Sequence, residues 1–261
     1  MLMKYALRWA AVAMAMNLLA CSHVSQEAWL KTEVNPALAS HVETRSVETH
    51  VFAGWRHFTL PGKTATVYDV VRKDGRETLT AKAGTSASMM RKEVNIPAAN
   101  LDDVSFSWQV PRLIEGADLA ERDFDDSPVR IVLVFEGDKR TFSAKNAMLS
   151  ELAQMMTGEP LPYATLMYVW CNKRPAGSVV INPRTDRIRS VVVESGAKNL
   201  RQWLDYQRHI RADFEKAFGE VPGNLISVGL MTDSDNTKTQ TAAAYGKVFF
   251  GEKLNANLVK Q

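Results

Sequence analysis

What most constrains the fold is a rhythm. Short runs rich in β-branched and aromatic residues recur between turn signals, at 66–71, 78–83, 104–110, 130–136, 165–171, 188–194, 225–231 and 245–250. Runs of this length and composition read as strands. Alternation is clearest in Phe106-Ser107-Trp108-Gln109-Val110, whereas 130–135 and 190–193 are almost continuously apolar and suit central strands covered on both faces. Lys73-Asp74-Gly75-Arg76 reads as a tight hairpin turn. Helical spacing interrupts the rhythm twice. At 146–157 it places Met148, Leu149, Leu152, Met155 and Met156 on one side, expected as core filling; at 199–218 it places Leu200, Trp203, Leu204, Ile210, Phe214 and Phe218, ended by Gly219 and Pro222. A doubly wound α/β fold needs helices between most strands, and they are missing. The expectation is therefore a mainly β chain: one antiparallel β-sandwich of jelly-roll type over 51–250, with one long and one short inserted α-helix.

Ahead of that body lies a leader. Lys4 and Arg8 form a positive end, an apolar stretch follows, and it stops at Leu18-Leu19-Ala20-Cys21. The stretch is too short to span a bilayer, which takes about 20 apolar residues. The order resembles a bacterial lipobox, which implies removal of 1–20, a lipid on Cys21, and a tether over 21–50. Several acyl chains hold a protein on a membrane where one does so only marginally. Ser22 in place of Asp implies, by resemblance to enterobacterial sorting, an outer-membrane lipoprotein facing the periplasm. Cys171 is then alone in an oxidising compartment; set in Tyr168-Val169-Trp170-Cys171, it reads as a buried, inert thiol. The formal charge of +3 includes Lys4 and Arg8, so the remainder carries 30 basic against 29 acidic side chains. Such a balance argues against a nucleic-acid partner held through phosphates. A polar tail is expected over 251–261.

Candidate chemistry lies in two acidic segments and scattered aromatics. Asp118, Glu121, Asp123, Asp125 and Asp126 precede Arg130 at the start of a strand. Crowded carboxylates are solvated, or held by a cation or an Arg fork. Asp125, Asp126, Arg130 and Tyr168 are the catalytic candidates, for general acid or base work of the kind glycoside hydrolysis uses. Asp233, Asp235 and Asn236 alternate oxygen donors as Ca²⁺ prefers, so a structural Ca²⁺ is the sole cofactor considered; an Asx-stabilised turn explains the same residues. No zinc spacing and no Gly-x-Ser-x-Gly elbow is seen. Trp55, Arg56, Ser86, Ser88, Trp108, Tyr163, Trp170 and Arg208 are the ligand-binding candidates, aromatic rings for stacking on sugars beside hydrogen-bonding groups, although most of the six Trp are expected in the core.

An ordered series of motifs carries a resemblance. Phe52-Ala53-Gly54-Trp55-Arg56, Phe106-Ser107-Trp108, Asp125-Asp126 before Arg130-Ile131, and Leu161-Pro162-Tyr163-Ala164 come first. Ser195-Gly196, Asp213-Phe214, the run from Met231 through Thr237, and Ala244-Tyr245-Gly246-Lys247-Val248 follow. The chain resembles the bacterial domain-of-unknown-function family 3047, which implies an envelope protein without an established activity. Phe124 stands where that pattern has Gly. The Asp-rich turn before a last strand is similar to the close of jelly-roll carbohydrate-binding modules, a fold-level analogy. Three functions stay open: a lipid-anchored envelope protein binding a polysaccharide or cell-wall glycan; a polysaccharide hydrolase or lyase using Asp125 or Asp126 with Arg130; and a non-enzymatic scaffold among envelope export or assembly partners.

Overall fold

The structure is a computed structural model that describes residues 51–73 and 75–251. The leader, Cys21, the tether and nearly all of the tail lie outside the described residues. Two sheets form the body. One has seven strands in the order β1 (Arg56–Thr59), β4 (Ala87–Ile96), β11 (Leu225–Asp233), β6 (Arg130–Phe135), β7 (Ala164–Cys171), β9 (Ile188–Ser195) and β8 (Val179–Ile181). The other runs β10 (Leu204–His209), β5 (Asp103–Gln109), β12 (Gln240–Tyr245), β3 (Arg76–Gly84) and β2 (Val67–Lys73), with β13 (Phe249–Phe250) also on β5. Two helices, α1 (Ala144–Thr157) and α2 (Ile210–Phe218), are inserted. This is the mainly β sandwich of jelly-roll type that the strand rhythm implies.

The core follows from alternation. Ile131, Leu133 and Phe135 of β6, Leu166, Tyr168 and Trp170 of β7, and Val104, Phe106 and Trp108 of β5 meet between the sheets, all at 2% exposure or less. Each large apolar side chain so buried contributes about 1.5–3 kcal/mol. The other side of β6 and β7 is also covered, through Val132, Met167 and Val169, which is why these runs read as continuously apolar. At the Lys73↔Arg76 pairing the β2–β3 hairpin closes, with Gly75 at φ +75°.

Four features depart from the expectation. One pair is parallel, β7 with β9, because the chain crosses to the sheet edge as β8 and returns as β9 into the gap beside β7. The last long strand is β12, ahead of the expected 245–250, of which only Phe249 and Phe250 form the short β13. The segment 199–218 is helical only from Ile210; Leu204, Tyr206 and Arg208 alternate with exposed Asp205, Gln207 and His209 as β10, and the His209 ring accepts from Ala212 N to cap α2. Finally, α1 forms, but Met148, Leu152, Met155 and Met156 are 46–78% exposed rather than core. Its buried residue is Asn146, which donates to Asp186 at 2.6 Å and accepts from Thr185 at 2.8 Å. The helix is tied by amide hydrogen bonds, and its apolar stripe points away from them.

Candidate functional site

The outer face of the seven-stranded sheet carries the groups of interest. Register places them in rows: Ala87 beside Asp233, Met89 beside Met231 and Arg130, Arg91 beside Gly229 and Val132. A Cβ on Gly229 would stand 3.1 Å from Met89 Sδ and 3.2 Å from Val132 Cβ, so the bare glycine keeps the middle of the face low.

At one end the rows finish in charge. Arg130 is 4% exposed, and its Nε and Nη2 donate to the two Asp233 oxygens at 2.8 and 2.9 Å. Nη2 also donates to the Asp125 carboxylate at 3.1 Å and its carbonyl at 2.9 Å. Asp125 accepts further from Asn182 at 2.8 Å and Arg184 at 3.4 Å, while Lys63 pairs with Asp235. Coulombic and hydrogen-bonded support from the two carboxylates outweighs burial and holds the Arg130 guanidinium charged, its pKa raised. Burial pushes the Asp233 carboxyl up to about 7 against the pull of Arg130, and Asp126 and Asp125 add to the rise. A cleft of about 200 Å³ opens here, between Leu60, Ala87 and Met231 on one side and Lys63, Arg184, Asp235 and Asn236 on the other.

Asp126 faces the following turn. Its oxygens accept from Asn236 N and Nδ2 at 3.3 and 2.9 Å, and from Thr237 N and Oγ1, both at 2.7 Å. Asp126, Asp233 and Asp235 each bring one oxygen within 4.8 Å of the others, a set that could hold a metal ion. Asn236 belongs to the network differently: its carbonyl accepts from Arg184 at 2.9 Å and its amide serves Asp126.

The other end of the face is aliphatic. Val132, Val134, Met89 and Ile188 floor a cavity of about 620 Å³ that Ala153 of α1 and Leu161 roof. Arg91 closes one side with a bidentate pair to Glu159 at 2.7 and 2.8 Å and a contact to Glu93 at 3.1 Å. Its guanidinium lies 4.3 Å over the Phe58 ring. The hydrogen bond from Arg91 lowers the Glu159 carboxyl pKa despite some burial.

Other expected site residues are elsewhere. Tyr168 is fully buried between the sheets, stacked on Phe106 at 5.5 Å, on the opposite side of the strand pair from Arg130. Trp108 and Trp170 share that core, Trp170 Nε1 donating to Gly196 O at 3.0 Å. Ser86 and Ser88 are buried; Ser88 Oγ accepts from Thr66 N at 2.9 Å and sits 2.8 Å from His57 Nε2. Tyr163 lies 4.3 Å beneath the Arg187 guanidinium and donates to Glu220 at 3.1 Å. Arg208 forks onto Asp213 at 2.9 and 2.6 Å. Trp55 packs half-buried against Phe52, and Arg56 is exposed on β1. So Asp125, Arg130, Asp233, Asp235 and Asn236 share one cleft, and the rings expected beside them do not. Lys63 and Arg184, which complete the cleft, come from loops with no motif to mark them.

Fold and face together define the class: a jelly-roll-type β-sandwich with two cavities on the outer face of its larger sheet. The chain belongs to DUF3047, a family described as proteins of unknown function, whose model matches residues 53–249. No curated protein matches it. Among solved structures it is similar to the xyloglucanase domain of NopAA, a type three effector from Sinorhizobium fredii in complex with cellobiose. That likeness has 10% identity over 76% of this chain and 93% of that one, TM-score 0.41. It is similar to the Trichoderma harzianum endoglucanase 3 from family GH12, at 9% identity over 76% and 95%, TM-score 0.39. A family 11 carbohydrate-binding module from Clostridium thermocellum, in complex with a mixed-linked tetrasaccharide, follows at 7% over 75% and 87%, TM-score 0.36.

Proposed function

We propose that this chain is a lipid-anchored envelope protein that binds an acidic polysaccharide at the ionic end of its seven-stranded sheet. One observation carries the reading: the cations at the cleft mouth are the exposed partners and the carboxylates the buried ones. Lys63 and Arg184 are 44% and 39% exposed, against 9% for Asp235 and 7% for Asp125. An incoming chain meets positive charge first, which suits uronate carboxylates, while Asp235 offers oxygen to hydroxyls. Beneath them the Arg130 fork fixes the cleft walls before any ligand arrives, which lowers the ordering cost of binding.

Affinity electrophoresis through gels containing an acidic or a neutral polysaccharide tests it. Retardation by a uronate polymer, lost in Lys63→Ala Arg184→Ala, is expected; equal migration in both gels overturns the reading. Mass spectrometry of the mature amino-terminal peptide tests the anchor, a lipid on Cys21 being the expected outcome and a free thiol the contrary one.

Binding is favoured over hydrolysis by the carboxylates themselves. A general acid needs a raised pKa and a proton to give. Asp233 is the raised carboxyl of the cleft, but it is buried and both its oxygens accept from Arg130. Asp126 is committed to four donors in the turn, and Glu159 is pushed down rather than up. Arg130 and Lys63 already supply the positive charge that a structural Ca²⁺ would bring to Asp233 and Asp235. A Ca²⁺-dependent rise in melting temperature, lost in Asp235→Ala, would restore the ion to the site.

A further inference from the structure

The cavity under α1 lies on the same face as the ionic cleft, yet its chemistry is different. Val132, Val134, Met89 and Ile188 below, and Ala153 and Leu161 above, offer hydrocarbon; apart from the charged groups, hydroxyls enter the lining only from Thr157, Thr165 and Ser227. The one aromatic ring there, Phe58, has a face taken by Arg91. A sugar, with a hydroxyl on almost every carbon, would leave most of them unpaired against the aliphatic walls, at a cost of about 1–3 kcal/mol for each one buried. About 620 Å³ is in the range of small-molecule sites, which run to roughly 300–1,000 Å³.

Among the described residues its lining has one cation without a counter-charge. Lys139 lines the cavity, burial lowers its pKa, and no carboxylate opposes that shift. Its neighbour Asp138 is taken by Arg140 at 2.6 Å, and Glu159 and Glu93 are both taken by Arg91. Hydrocarbon walls with an unmatched ammonium at the opening call for a ligand with an apolar body and a negative end.

We infer that the cavity holds the alkyl or acyl chain of an anionic amphiphile, whose carboxylate or phosphate head pairs with Lys139. The inference is independent of the polysaccharide reading. It uses a neighbouring cavity, which shares Leu60 with the ionic cleft, and none of Lys63, Arg184 or Asp235.

Calorimetric titration of the full chain with laurate, dodecyl phosphate, octanoate and dodecyl maltoside, each below its micellar concentration, tests it. Saturable binding of laurate or dodecyl phosphate is expected, and the tighter of the two tells a fatty acid from a phospholipid-like source. Each methylene drawn from water is worth about fourfold in affinity, so laurate should exceed octanoate at least tenfold. Ala153→Trp, filling the cavity from the helix side, and Val134→Phe, filling it from the sheet side, should each weaken binding at least tenfold. Lys139→Gln should weaken the two anions about fivefold and leave dodecyl maltoside unchanged. No saturable binding, or laurate binding untouched by both filling variants, overturns the inference. Dodecyl maltoside binding as tightly as laurate, with Lys139→Gln silent, overturns the head-group assignment. Retardation in polysaccharide gels should persist in Ala153→Trp, so either reading can fail without the other.

Discussion

Arg130 and Val132 sit two residues apart on one strand and face the same way, yet they line two different cavities of the molecule's outer face, which meet at Leu60. At the Arg130 end, loops 122–127, 182–187 and 233–239 converge, and charged side chains fill nearly all the space between them. At the Val132 end a single helix stands over the sheet on polar tethers and leaves a cavity beneath. The first end is rigid because almost every buried ion is matched; the second is roomy because α1 turns its apolar stripe away. Preorganisation and adaptability are thus divided along one β-strand, and each half can be broken separately.

The largest effect is expected at Arg130. Substituting Arg130→Leu leaves Asp125 and Asp233 buried without their shared cation, and losing one partner of a buried pair costs about 3–5 kcal/mol. Urea unfolding measures it. Arg130→Leu combined with Asp125→Asn and Asp233→Asn should recover most of the loss, because no charge is then stranded. A single variant losing under 1 kcal/mol would mean that the ionic end is not the rigid half. Asp126→Ala comes next, at about 2 kcal/mol, because its carboxylate gathers two backbone N–H groups and two side chains of the 236–237 turn. Amide exchange should quicken at Asn236 and Thr237 while the strands remain protected.

A smaller and more local change is expected at the other end. Asn146→Ala removes the amide that ties α1 to Thr185 and Asp186, costing about 1 kcal/mol. The informative readout is exchange rather than global stability: amides of α1 should open while those of β6 keep their protection. If β6 exchanges along with α1, the helix belongs to the cooperative core and the two ends are not separable.

How much of this could be read from the chain depended on whether a residue's role was local. The uninterrupted apolar run of β6 declares a doubly covered strand within a few residues, whereas Asp125-Asp126 ahead of Arg130 leaves solvated, cation-held and Arg-held carboxylates all open: Asp125 meets Arg130, but Asp126 turns to Asn236 and Thr237. Asp233 and Asp235 drew notice through alternating oxygens, but their partners Arg130 and Lys63 lie 103 and 172 residues away, and nothing in spacing points to them. Met148, Leu152, Met155 and Met156 have the spacing of a buried stripe and are exposed, since periodicity reports that a face is apolar and not what covers it. Tyr168 shows the reverse limit. It shares a short run with residues of both faces, and only the register at Arg130↔Val169 sends it to the core side.

The smallest effect sharpens the comparison most, because it probes an ion pair of the open end against those of the closed one. Glu159 is bidentate to Arg91, as Asp233 is to Arg130, but its side chain is 51% exposed rather than 4%. Solvent screens such a pair, so Glu159→Gln should cost under about 1 kcal/mol at low salt and less as salt rises. The pH dependence has a definite sign. The hydrogen bond from Arg91 depresses the Glu159 pKa below the ordinary 4.5 of a glutamate. Its contribution is therefore present above that value and lost as pH falls through the lower native one. In thermal unfolding the wild type should lose stability on acidification slightly more steeply than Glu159→Gln, and 0.5 M salt should merge the two curves. A salt-insensitive loss of several kcal/mol would make Arg91–Glu159 a second Arg130-like fork. The cavity beneath α1 would then be walled as firmly as the ionic cleft, and the division of the face into a rigid and an adaptable half would fail at its most exposed point.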